Sequence, residues 1–204
     1  EGNGQRELGD ALAGVAKIES GAILLDGENI TSRSALDLRR RGVSAIPEDR
    51  QGWGLVTDMT VAENLALTDV PAGRFNRNGF LRPKMVRKQA RQVLEEYDVR
   101  PPNPDLPVRS LSGGNQQKVV IARELSRDHR VLIAANPTQG VDVGATEYVH
   151  RRLLEDRAEG KAIVLVSIDL DELLKLADRI IVLFRGKLAY QAPRNRVSMD
   201  AIAM

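Results

Sequence analysis

The 204-residue chain contains no cysteine. Disulfides and thiolate-held metals are therefore excluded, and a reducing compartment is compatible with the composition. Aromatic residues make up only 3% of the chain, too few to lay out a base-stacking platform for single-stranded nucleic acid. Long hydrophobic runs are missing as well. The longest, AIVLV at 162–166 and IIVLF at 180–184, suit buried strands and fall far short of the ~20 residues of a membrane-spanning helix. The opening EGNGQREL is polar and carries no secretory-signal pattern. Neither sign of charge dominates: 30 basic residues face 28 acidic ones, for a net charge of +2. The densest basic cluster, Arg39, Arg40 and Arg41, reads as a solvated helix end rather than a nucleic-acid patch.

What is present is ordinary for a globular protein: 42% hydrophobic and 28% charged residues, in a chain long enough to bury a sizeable core. Residues 7–13 read as a helix after a glycine turn, and GAILLDGENI as a short strand with an Asp-Gly turn. SALDLRRRG is a helix ended by Gly42, and VSAIPE at 43–48 a buried strand. Thr60 and Glu63 have the spacing of a capping box. A Gly/Pro/Asn-rich connection covers 69–82, and an amphipathic helix covers 83–99 with Met85, Ala90, Val93, Leu94 and Tyr97 as its apolar side. From residue 115 helices at 115–126, 145–158 and 169–177 alternate with strands at 131–134, 162–166 and 180–184. That alternation predicts a parallel sheet covered on both faces, interrupted between 60 and 110 by helices only. His129 and His150, the two histidines, fall outside every motif and read as surface residues.

One stretch carries chemistry. In LSGGNQQK, Leu111–Lys118, a serine precedes two glycines and a helix follows at once. Helix N-termini offer unpaired N–H groups and partial positive charge, which suit a phosphate. With IPEDR upstream and IAANPTQGVDVGA downstream, the chain resembles the nucleotide-binding domain of ATP-binding cassette (ABC) transporters. It most resembles the second, C-terminal cassette of tandem subunits of simple-sugar and nucleoside importers. The resemblance implies an α/β P-loop NTPase fold, three layers with a mostly parallel sheet, across residues 1–204. It also implies an inserted helical signature subdomain at about 60–112, and N-terminal strands that would precede residue 1.

Residue by residue, the resemblance divides the motifs in two. Gly2, Asn3, Gly4, Gln5 and Arg6 occupy the phosphate loop, with Gln5 at the lysine position and Arg6 at the magnesium-binding hydroxyl position. Ala135, Asn136 and Ile168 stand where the metal-holding Asp, the catalytic Glu and the γ-phosphate-sensing His would be, and Glu48 where a glutamine would be. Glu48, Asp169 and Asp171 lie at displaced positions for a replacement base. The chain's own site is therefore expected to be catalytically dead, with weak nucleotide binding or none and no metal. By contrast, Leu111, Ser112, Gly113, Gly114, Asn115 and Gln116 match the signature, and Gly140, Val141 and Asp142 the loop that crosses the cassette–cassette interface. ATP and Mg2+ are expected at a shared interface, where these residues cover a nucleotide held by a partner cassette. The implied partners are an N-terminal cassette of the same polypeptide or a second cassette, transmembrane permease subunits and, indirectly, an extracytoplasmic binding protein, but no nucleic acid. The implied location is the cytoplasmic membrane face. The segment 48–65 is expected to contact the membrane subunits, with Trp53 either interfacial or packed on its own domain. A soluble ABC ATPase of DNA repair or translation, and an unpaired regulatory pseudoenzyme, remain the alternatives. The near-neutral charge and the NQQK ending disfavour the first; the intact signature and Asp142 disfavour the second.

Overall fold

Left-handed turns, capped helices and a short parallel sheet organise the chain, which is described by a computed structural model over residues 2–71, 73–77 and 80–198. Ala72, Asn78 and Gly79, within the expected 69–82 connection, and the ends Glu1 and 199–204 lie outside the described residues. The N-terminal third runs α1 (Gln5–Leu12), β1 (Leu24–Leu25), β2 (Glu28–Asn29), α2 (Ala35–Arg40) and β3 (Val43–Ile46). A π-helical turn (Arg50–Gly54), α3 (Val61–Ala66), β4 (Asn76–Arg77), β5 (Phe80–Leu81) and α4 (Pro83–Glu96) follow. The remainder is α5 (Gly113–Leu125), β6 (Val131–Ala135), α6 (Val143–Ala158), β7 (Ala162–Val166), α7 (Leu170–Leu176), β8 (Arg179–Phe184) and β9 (Lys187–Pro193).

β3, β6 and β7 form a parallel sheet with β6 in the centre. Side chains on a strand alternate between faces, and β6 shows the consequence. Leu132 and Ala134 are buried with Val119, Val120 and Ile121 of α5 and Val149 and Leu153 of α6, whereas Ile133 is buried with Val43, Leu38 of α2 and Leu12 of α1. The sheet is thus the middle layer of three. Fully burying a Leu, Val or Ile contributes roughly 1.5–3 kcal/mol, so this doubly covered strand anchors the fold. Tyr97, Val93 and Leu94 extend the first core towards α4, and a separate cluster of Ala62, Ala66, Phe75, Val86 and Ala90 holds α3 against α4.

Local chemistry sets the boundaries. Gly42 ends α2 at φ +84°, where a Cβ would also press on Arg130 at 3.2 Å. The capping box is formed: Thr60 N–H donates to Glu63 Oε2 at 2.8 Å and Glu63 N–H to Thr60 Oγ1 at 3.2 Å. Asp26 and Gly27 both have positive φ, the geometry of a type I′ hairpin turn between β1 and β2.

Several sequence expectations need correction. The 83–99 helix stops at Glu96, and its inward position is Val86, while Met85 is exposed. Residues 60–110 are not helical only, because β4 and β5 pair as an antiparallel hairpin. The strand expected at 180–184 does not join the parallel sheet; β8 pairs antiparallel with β9 through an Arg185-Gly186 turn with positive φ at both residues. The helix expected at 115–126 begins at Gly113, because Ser112 caps it two residues earlier. Arg39 is not a solvated helix end: its guanidinium reaches the fully buried Glu124, which also accepts from Arg123 Nε at 2.8 Å.

Both histidines are buried rather than superficial. His129 Nε2 lies 2.9 Å from Asp156 Oδ2 and its Nδ1 2.9 Å from the Arg127 carbonyl, with Lys161 Nζ on the other Asp156 oxygen at 2.7 Å. His150 Nε2 donates to Glu172 Oε1 at 2.8 Å, which also accepts from Thr138 Oγ1 at 2.9 Å. Polar side chains tolerate burial when their partners are supplied, and here the partners come from α6 and α7, distant in sequence.

Candidate functional site

In a parallel sheet the loops at the carboxyl ends of the strands converge, and ligand sites gather there. Three such ends meet in this chain. Glu48 follows β3, Asn136 follows β6 and Ile168 follows β7, and one side chain ties them together. Asn136 Nδ2 donates to Glu48 Oε1 at 2.8 Å, Ile168 N–H donates to Asn136 Oδ1 at 3.0 Å, and Asn136 N–H donates to the Val166 carbonyl at 2.8 Å. Asn136 is buried and has φ +44°, a left-handed conformation that Asn adopts more readily than most residues. Ala135 precedes it and offers no polar group. A cavity of about 680 Å3 opens beside these residues, lined also by Gln5, Arg6 and Trp53.

The residues expected to form the phosphate loop sit at the start of α1. Gly2 and Gly4 have positive φ, but Gln5 and Arg6 already belong to the helix. Gln5 Oε1 accepts the Asn3 N–H at 3.0 Å, so a backbone donor that could face an anion is taken internally. Asn3 in turn holds the β8–β9 turn, accepting from Arg185 N–H through Oδ1 at 3.0 Å and from Gly186 N–H through its carbonyl at 2.9 Å. Arg6 is exposed, 3.8 Å from Asp10. Gln5 and Arg6 supply neither a lysine nor a hydroxyl, and Ala135 and Asn136 carry no carboxylate, so these four side chains lack the groups that hold a magnesium-bound triphosphate.

The signature residues are arranged differently. Ser112 is exposed and caps α5, its Oγ accepting from Asn115 N–H at 3.4 Å and Asn115 Nδ2 at 2.9 Å. Gly113, Gly114 and Asn115 are half-exposed in the first turn of this 13-residue helix, the end at which free N–H groups and the helix dipole favour an anion. Leu111 and Gln116 turn inward; Gln116 Nε2 donates to the carbonyls of Val108 at 3.3 Å and Leu111 at 3.2 Å. The 139–142 loop lies alongside, since a Cβ at Gly114 would sit 3.6 Å from the Gly140 carbonyl and 3.8 Å from Val141 Cα. Gln117 Nε2, donating to the Pro137 carbonyl at 2.9 Å, fastens that loop to α5. Asp142 caps α6, accepting from Ala145 N–H at 2.8 Å, and that hydrogen bond holds its carboxyl below the usual range. Gly140 and Val141 thus lie against Gly114 in the first turn of α5.

Two features escaped the sequence reading. The bridge from Asn136 to Glu48 crosses 88 positions and has no local pattern. Arg50, in the quoted IPEDR, reaches the signature helix and the 139–142 loop; nothing in its neighbours announces that contact. Trp53 is 66% exposed, so it does not pack into its own domain.

A three-layer α/β domain with a parallel sheet and a glycine-led helix start is a nucleotide-binding cassette in architecture. It superposes on a dimeric bacterial ABC transporter cassette with a TM-score of 0.80 at 23% identity, covering 95% of this chain and 82% of that one. A post-hydrolysis dimeric cassette bound to ADP and Pi gives a TM-score of 0.79 at 22% identity, covering 94% and 81%. The ABC transporter family profile matches residues 1–139, and the chain belongs to that family. Among curated relatives, the nucleoside import ATP-binding protein NupA of Lactococcus lactis subsp. cremoris is 45% identical over 188 residues, 92% of this chain and 37% of the relative. The guanosine import ATP-binding protein NupO of Bacillus subtilis is 44% identical over the same shares. A ribose import ATP-binding protein, RbsA of Oceanobacillus iheyensis, is 35% identical over 98% of this chain and 40% of its own length. The chain therefore spans well under half the length of these relatives. Among the described residues, no helix is long and apolar enough to cross a membrane.

Proposed function

We propose that this chain is the signature-donating cassette of an importer ATPase for simple sugars or nucleosides, corresponding to the C-terminal cassette of a tandem subunit. One observation carries the reading. Ser112 is exposed and Gly113 and Gly114 are half-exposed at the start of α5, with Gly140 and Val141 beside Gly114, while Ala135 and a hydrogen-bonded Asn136 stand at the end of β6. The signature would cover a nucleotide and Mg2+ held by a partner cassette, stabilising developing negative charge with helix N–H groups. This role needs no carboxylate of its own. The chain's own nucleotide site is weak or empty in this reading.

The names of the relatives, nucleoside, guanosine and ribose import ATP-binding proteins, support the substrate class. The working assembly would include a hydrolysing cassette, transmembrane permease subunits and an extracytoplasmic binding protein, with this chain on the cytoplasmic membrane face. Residues 60–112 would act as the helical signature subdomain, and the 48–65 segment, with Trp53 exposed, as the membrane-subunit contact.

The test compares two substitutions in the assembled ATPase. Ser112→Arg is expected to abolish turnover, because a long cation would fill the donated surface, whereas Gln5→Ala is expected to change it little. The purified chain alone is expected to hydrolyse Mg-ATP no faster than background. Equal damage from both substitutions, or clear turnover by the isolated chain, would overturn the proposal.

A further inference from the structure

Arg50 is the unexplained residue at the donated surface. Its guanidinium lies between two glycines of different motifs: a Cβ at Gly113 would sit 2.9 Å from Arg50 Nη2, and a Cβ at Gly140 would sit 3.4 Å from Nη1. Arg50 Nη1 donates to the Gln139 carbonyl at 3.3 Å. Among the described residues its guanidinium hydrogen-bonds to that carbonyl, and its Nε is buried without a hydrogen-bond partner. Gly113 has ordinary helical backbone geometry, so the absence of a side chain there is not required by φ. Glycine leaves room for the guanidinium instead. A cation at a helix N-terminus is disfavoured by the helix dipole, so the placement is held by packing rather than by charge pairing.

Arg50 also begins the π-helical turn that carries Trp53, and this turn is fastened along α5. Gln51 Nε2 donates to Gln116 Oε1 at 3.0 Å, and the buried Arg123 donates through Nη1 to the Gly54 carbonyl at 2.7 Å. The turn is closed by Asp49, whose carboxylate accepts from Gln51 N–H at 3.1 Å and Gly52 N–H at 2.9 Å. The turn that carries the exposed Trp53 thus meets α5 at three points, Gly113, Gln116 and Arg123.

We infer that Arg50 is a positioning residue that clips the signature turn and the 139–142 loop to the Trp53-bearing turn, setting the geometry presented to the partner's nucleotide. The inference rests on the proposed donation of the signature. Arg50 acts through Gly113 and Gln139, so its loss should lower the rate of the chemical step more than the apparent affinity for ATP. Lysine keeps the charge but lacks the planar fork that spans two glycines and a carbonyl.

The test measures ATP turnover of the assembled ATPase carrying Arg50→Gln or Arg50→Lys in this chain, with Ser112→Arg alongside. Both Arg50 variants are expected to lower kcat about tenfold or more with KM for ATP changed by less than about threefold, since small misplacements of positioning groups are amplified in rate. Thermal melting of each purified variant checks folding; should Arg50→Gln melt early, Arg50→Lys decides. Turnover of a folded variant within about twofold of the parent overturns the inference, as does recovery by lysine, which would make charge the operative property. A rise in KM that matches the fall in kcat also overturns it, because that is the signature of direct nucleotide contact. If Ser112→Arg leaves turnover intact, the donation reading itself fails; if only the Arg50 variants are silent, this inference fails alone.

Discussion

Asn136→Asp isolates the bridge at the strand ends. The two side chains are isosteric, and Asp tolerates the left-handed φ of +44° nearly as well as Asn. The Ile168 N–H keeps an acceptor, and only the Nδ2 donor to Glu48 is lost. A hydrogen bond to a charged group contributes roughly 1.5–3 kcal/mol. Two carboxylates at about 3 Å would repel by about 5.5 kcal/mol at an effective dielectric of about 20. Glu48 is half-buried beside the cavity and can swing away, which discounts most of that repulsion. The expected loss is about 2–4 kcal/mol at about pH 7, or a fall in Tm of roughly 5–15 °C for a chain of this length. The sign of the pH dependence follows from proton sharing. A folded-state carboxylate pair binds a proton more tightly than the unfolded chain does, so the deficit is fullest near neutral pH and shrinks as pH falls towards about 5. Thermal melts at both pH values provide the assay. A variant melting within about 1 °C of the parent at neutral pH, or a deficit that grows on acidification, would refute the bridge as a stabilising element.

Two further outcomes concern stability away from the motifs. Thr60→Ala should cost about 1 kcal/mol by removing the capping box, read from the urea midpoint. The Thr60 hydroxyl and backbone N–H hold the Glu63 carboxyl below its ordinary value of 4.5. The hydroxyl's bond to that carboxylate is therefore present above about pH 4.5 and lost as pH falls through the depressed folded value, so the deficit should shrink in acid to that of the Glu63 N–H cap alone. Asp156→Ala should cost roughly 1–3 kcal/mol, because it leaves the buried His129 Nε2 without its partner, whereas Lys161 keeps Glu159 at 2.9 Å. A Tm shift under about 2 °C would contradict that account.

Particular residues show why some features could be read from the sequence and others could not. Thr60 and Glu63 stand three apart on one helix turn, so the spacing alone announces the capping box. The Asp26-Gly27 turn, the Gly42 stop and the runs that become β3, β6 and β7 are equally local. His129 and His150 carry no local sign of burial, and only the placing of α6 beside His129 and of α7 beside His150 supplies Asp156 and Glu172. Met85 and Val86 are adjacent apolar residues, and the way α3 sits against α4 decided which one turned inward. The IIVLF run had the composition of a buried parallel strand; the Arg185-Gly186 turn folded it back on Lys187–Pro193 instead.

By itself, the sequence determined the residue chemistry of this protein: an α/β alternation, a serine-glycine-glycine helix start, and neutral residues at 135, 136 and 168. These follow from side-chain type and from periodicities of two and 3.6 residues, which are properties of neighbouring positions. Only the tertiary structure decided that Asn136 is spent joining Glu48 to Ile168, that Gly114 and Gly140 lie side by side, and that Arg50 fills the space between two glycines. Each of those depends on chain segments tens of residues apart meeting within about 3 Å, and hydrogen bonds and steric exclusion act only at that range.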